Sequence, residues 1–123
     1  MPPRRRTDPA AGRAALAAWR AAPDTASAEV VATAVRFTLE ELALRRPGHN
    51  VEVRVPPYGA VQCLPGSTHR RGTPPNVVET DAATWLYLVT GSLTWAEALA
   101  GGRVAASGGR ADLAAVMPLT ISS

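Results

Sequence analysis

Hydrophobic positions along this chain change period several times, and each change marks an element. From Ser27 to Arg45, Val31, Ala34, Val35, Thr38 and Leu42 recur at i, i+3, i+4, i+7 and i+11. Val30, Phe37 and Leu44 widen this stripe, while Arg36, Glu40, Glu41 and Arg45 take the opposite side. The pattern predicts an amphipathic helix lying on a sheet. Ser27 can cap it, Glu29 suits the positive end of its dipole, and Pro47-Gly48 ends it. Upstream, residues 9–22 predict a short helix with Leu16 and Trp19 on one face, Pro9 at its first position and Pro23-Asp24 as its stop.

The period then falls to two. VEVRV (51–55) places valines on one face and Glu52 and Arg54 on the other, as in a half-buried strand. PPYG (56–59) is a turn, and GAVQCL (59–64) is the returning strand of a hairpin. PGSTHRRGTPPN (65–76) is too rich in proline and glycine for regular structure, and NVVET (76–80) is a third strand. Asp81 is placed to cap a helix through TWLYLVT, with Gly91 as its left-handed stop. Thr94 and Glu97 form a capping box for the next helix, which ends at Gly101-Gly102. RVAAS (103–107) is a short strand. A last helix is expected over about 110–116, stopped by Pro118, and LTIS (119–122) is a weak edge strand. The order predicts an α+β fold, a mainly antiparallel sheet of about five strands covered on one face by helices. Residues 1–24 divide off as a basic, frayed tail plus a short helix, and residues 25–123 as the domain.

Composition narrows the function classes. The chain has 123 residues, enough for one domain with its own core. All 13 basic residues are arginines, and the formal charge is +3. Much of the excess lies in Arg4, Arg5 and Arg6 and in Arg70 and Arg71, so the remainder is near neutral. Without a continuous basic face or interleaved aromatics, nucleic acid is disfavoured as a partner, and Arg4–Arg6 reads more readily as a solvated tail than as a binding arm. A single cysteine, Cys63, precludes an internal disulfide and suits a reducing cytoplasm. The N-terminal arginines lack the apolar run of a signal peptide, and no segment is long enough to span a membrane.

Particular residues carry a resemblance. TWLYLVTGSLTWAEALAGGRVAASG followed by RADLAAVMPL resembles the sterol carrier protein family: a helix ending in Thr90-Gly91, a capped helix from Trp95 to Ala98, Gly102 to Val104, Ser107-Gly108, and Asp112 to Leu119. The match is close over the C-terminal third, holds by pattern over the middle strands and does not extend to residues 1–25. The 69–81 loop is similar to that of small stand-alone actinobacterial members. The resemblance implies an apolar cavity between sheet and helices for a fatty acyl, sterol-like or other apolar or amphipathic ligand. It also implies a second setting, since the same fold forms a domain of mycothiol-dependent isomerase-like enzymes. A protein-interaction module is a third reading.

The candidate cavity wall is Phe37, Trp85, Leu88, Val89, Trp95, Leu99, Leu113 and Met117, which also suffice as plain core. His69, Arg70 and Arg71 are candidate polar anchors at its mouth, because arginine's planar fork suits a carboxylate or phosphate. Cys63 and His69 could pair as nucleophile and base, but no motif supplies a third member. Gly101-Gly102 and Gly108-Gly109 lack the strand–loop–helix setting and the lysine of a phosphate cradle. No catalytic residue, metal or cofactor is expected. The resulting expectation is a non-catalytic carrier without stable membrane insertion, for which a homodimer stays open.

Overall fold

Side-chain caps set where each helix begins. The computed structural model of the chain describes residues 4–66 and 76–121. Helix α1 (Pro9–Ala21) starts at Asp8, whose carboxylate accepts from the Ala11 amide at 3.1 Å. Ser27 caps α2 (Ala28–Arg45) by accepting from Val30 N at 3.1 Å. Asp81 caps α3 (Ala82–Thr90), and Gly91 ends it in the left-handed conformation at φ 84°. The capping box at Thr94 and Glu97 opens α4 (Trp95–Ala100). Each cap satisfies amides that the first helical turn cannot.

The strands are β1 (Val51–Val55), β2 (Gly59–Cys63), β3 (Asn76–Thr80) and β4 (Val104–Ser107), in the spatial order β2-β1-β3-β4. β1 pairs antiparallel with β2, with Val53 opposite Val61, and β3 pairs antiparallel with β4. The central pair β1–β3 is parallel, with Val53 beside Val78. The sheet is therefore mixed and four-stranded, which corrects the expectation of a mainly antiparallel sheet of about five. The reason lies in which strands can be buried. Val51, Val53, Val55 and Val78 are fully buried, whereas β2 is exposed at Gly59, Ala60 and Gln62. β1 and β3 take the centre and β2 is left at an edge. The chain between Val55 and Asn76, which includes β2, is long enough to return to the starting end of β1 and lay β3 parallel to it.

Two other expectations fail near the C-terminus. Residues 110–116 form turns, not a helix. The Arg110 amide donates to the buried Asn76 Oδ1 at 2.8 Å, and the Ala114 amide to Asp112 Oδ1 at 2.8 Å. The Asp112 side chain thus takes the Ala114 amide, which a helix would direct to Arg110 O. Nor do the described residues of LTIS (119–121) form a strand: the Leu119 amide donates to Val89 O at 3.0 Å, at the end of α3.

Helices cover one face of the sheet. α2 is buried on more than one stripe because α1 covers it from outside: a Cβ at Gly12 would lie 2.2 Å from the Phe37 ring, so only glycine permits this approach. Trp19 of α1 meets Tyr87 of α3 edge-on, with ring centroids 5.0 Å apart. On the uncovered face Arg54 pairs with Glu52 at 3.0 Å.

A candidate binding cleft between α2 and the β2 edge

The face of α2 carrying Arg36, Leu39, Glu40 and Ala43 repeats at i, i+3, i+4 and i+7, so these four side chains line one side of a groove. Tyr58 and Gly59–Gln62, on the exposed edge of the sheet, line the other. Pro47–His49 closes the end nearest the C-terminus of α2, and Arg4, Arg6 and Thr7 form a third wall. The cleft is open on one side and has a volume of about 890 Å³, within the range of small-molecule sites. Leu39, Ala43 and Val61 make an apolar floor, and the charged lining residues are Arg4, Arg6, Arg36 and Glu40.

Several contacts shape this cleft. Arg36 Nε donates to Tyr58 O at 3.2 Å, tying helix to hairpin. His49 Nδ1 donates to Gln62 Oε1 at 2.5 Å at the far end. The N-terminal arm is fastened to α2: Arg6 N, Thr7 N and Thr7 Oγ1 all donate to the Glu40 carboxylate, at 3.2, 2.9 and 3.2 Å. Arg5 donates to Glu41, and its guanidinium carbon sits 5.4 Å from the centre of the Phe37 ring. Arg45 Nε reaches the other Glu41 oxygen at 3.0 Å. Partial burial acts to raise the Glu41 pKa, but Arg5 and then Arg45 outweigh it and hold the carboxyl below its usual value. The segment read from sequence as a frayed tail is, from Arg5 to Thr7, hydrogen-bonded to the helix.

Against this geometry stands a family model described as bacterial SCP ortholog, which matches residues 27–119. The chain belongs to the bacterial sterol carrier protein family. No curated protein matches it. Within this SCP-family domain the match takes in α2, the whole sheet, α3 and α4, whereas the arm and α1 lie before it.

The residues proposed from sequence as a cavity wall fall elsewhere. Trp85, Leu88, Val89, Trp95 and Leu113 come together in one core cluster, each 6% exposed or less. Phe37 is also buried, but it faces α1 at Gly12. Leu99 is 44% exposed on α4, apart from the others. Met117 is partly buried and borders a smaller cleft of about 390 Å³ with Arg45, Arg46 and Ala115–Thr120. None of the eight borders the larger cleft. His69, Arg70 and Arg71 lie outside the described residues.

The interior is tightly specified. Trp85 Nε1 donates to Thr38 Oγ1 at 2.8 Å, and that hydroxyl donates back to its own helix at Ala34 O. Trp95 Nε1 is the one buried side-chain polar atom without a partner among the described residues. Burial pushes the Cys63 thiol up to about 11, so at neutral pH it stays protonated and is a poor nucleophile. Among the described residues no three His, Cys, Asp or Glu side chains converge to hold a metal, and no helix is long and apolar enough to cross a membrane.

Sequence reasoning missed the cleft because its parts are remote in the chain. Arg36 and Glu40 stood on the polar side of α2 and read as solvent-facing. The available signal was their spacing with Leu39 and Ala43, which mixes apolar and charged positions on one helical face.

Proposed function

We propose that this SCP-family domain is a non-catalytic carrier that holds an amphipathic small molecule in the cleft between α2 and β2. The observation that carries this reading is the pairing of an apolar floor, Leu39, Ala43 and Val61, with a rim rich in arginine, in a cleft of about 890 Å³. Such a site suits a ligand with a tail to bury, at about 25 cal/mol per Å² of apolar surface, and a polar end to leave at the mouth. Family membership is compatible with a lipid-carrier type of domain, and SCP-like families are generally non-catalytic. The protonated, buried Cys63 also favours binding over covalent chemistry.

A ligand lodged among Trp85, Leu88, Val89, Trp95 and Leu113 is the competing site within the same function. It requires those side chains to part, because each is 0–6% exposed as they stand. In this reading residues 27–119 supply most of the carrier site, and Arg4, Arg6 and Thr7 of the arm complete one wall.

Native mass spectrometry of freshly purified protein, with organic extraction of the same sample, tests the proposal. A retained small-molecule mass that extraction removes is expected. A clean apo mass that no fatty acid or sterol shifts would overturn the carrier reading. Gly59→Leu separates the two sites: a Cβ there makes an ordinary contact with Leu39 Cδ1 at 3.6 Å, so the leucine takes up space in the cleft, and no atom of Trp85, Leu88, Val89, Trp95 or Leu113 lies within 4 Å of that Cβ. Loss of ligand in this variant is expected, and undiminished ligand would move the site to the interior.

A further inference from the structure

We infer that the N-terminal arm forms an anion subsite, which makes the cleft selective for an amphiphile whose head bears a carboxylate or phosphate over a neutral one of equal length. This inference rests on the carrier reading of the same cleft and adds to it the chemistry of the head group. Three arginines, Arg4, Arg6 and Arg36, line the cleft against one carboxylate, Glu40. That carboxylate is already engaged by three donors from Arg6 and Thr7. Only the backbone amide of Arg6 is used in this clamp, so its guanidinium is not the group that holds the arm. Arg36 commits Nε to Tyr58 O, which leaves its two terminal nitrogens as donors.

The arm is positioned by contacts that do not involve the ligand. Glu40 fixes its backbone, Arg5 is anchored on Glu41 and over Phe37, and Asp8 begins α1 immediately afterwards. Positive charge is thus held beside the apolar floor before a ligand arrives, which lowers the ordering cost of binding. Guanidinium groups bind carboxylate and phosphate oxygens through charge-assisted hydrogen bonds. A hydroxyl head would gain none of that charge assistance. Arg4 and Arg6 precede the matched span of 27–119, whereas Arg36 lies within it.

The test compares three ligands of one chain length, dodecanoate, dodecyl phosphate and dodecanol, by titration at low and high salt. Both anions are expected to bind about tenfold more tightly than the alcohol at low salt, and the gap should narrow as salt screens exposed charge. Whichever anion binds more tightly identifies the head group. In the double variant Arg4→Ala with Arg6→Ala, which keeps the backbone clamp, the anions should lose most of their advantage over the alcohol, down to the share that Arg36 supplies. Melting temperature and circular dichroism check that the variant folds. Equal binding of anions and alcohol by the wild type, or full discrimination by the variant, would overturn the inference and leave the carrier reading intact. If none of the three binds, the carrier reading falls and the subsite with it.

Discussion

Where α2 meets α3, the Thr38 hydroxyl accepts the Trp85 indole N–H in a fully buried setting, and every neighbour is packed in place. Where the same helix meets β2, it leaves about 890 Å³ bounded by arginines and by small residues, Gly59 and Ala60. The two sides of one helix thus differ in how far side chains fill the space. On one side α3 supplies the buried Trp85, Leu86 and Leu88, while on the other the edge strand β2 offers glycine, alanine and valine. A cleft arises where the partner strand lacks bulk, and it needs no break in the core.

Substitutions can break either side separately. Trp85→Ala removes the largest fully buried side chain and should cost about 3–5 kcal/mol, measured by denaturant unfolding. A loss near zero would mean that the α2–α3 side is not close-packed. Thr38→Val keeps the volume but leaves the Trp85 indole without its acceptor, for an expected cost of about 1–3 kcal/mol. If that variant proves neutral, the hydrogen bond sets orientation alone, and Trp85 tolerates the unpaired state already seen at Trp95.

Acid should weaken both sides. Asp81, at the start of α3, is subject to burial that raises its pKa, but hydrogen bonds from Thr84 outweigh this and hold it below the usual 3.8. Glu41, beside the arm, is held below the usual 4.5. A depressed carboxyl binds fewer protons folded than unfolded, so stability rises with pH. The contribution is complete above the usual value and is lost as pH falls through the folded one. Melting temperature should therefore level off above about pH 4.5 and decline below it. Arg5→Ala should flatten the part of that decline owed to Glu41, and an unchanged profile would show that the Arg5 pair adds nothing. The smallest effect on stability is expected for Gly59→Leu, within about 0.5 kcal/mol, because the site is exposed. A large loss would reveal that β2 is under more constraint than its exposure suggests.

Local structure was legible where one residue and its near neighbours decide it. Ser27, Asp81 and the Thr94–Glu97 box all cap as their spacing predicts, and the alternating valines of 51–55 form a strand with one buried face. Legibility ended where two remote segments compete. The parallel β1–β3 pair depends on which strand offers a more apolar face, and the alternation of each strand alone does not encode its neighbour. At 110–116 a helix was expected, but Asp112 claimed the Ala114 amide and the remote Asn76 holds Arg110 at the sheet. The cleft was hidden for the same reason. The Thr7 amide and the Glu40 carboxylate meet at 2.9 Å across 33 positions, and neither carries a motif.

The parallel pair at the centre of the sheet also orders events in time. The β1–β2 hairpin closes a short loop and can form alone, whereas Val51 must wait for Asn76 to come round beside it. Loop-closure entropy delays that step, so the middle of the sheet is built after its edge. Pulse-labelled amides of β2 should gain protection ahead of those of β3. A nascent chain released before β3 is made would carry the floor of the cleft with only β1 of the sheet centre behind it.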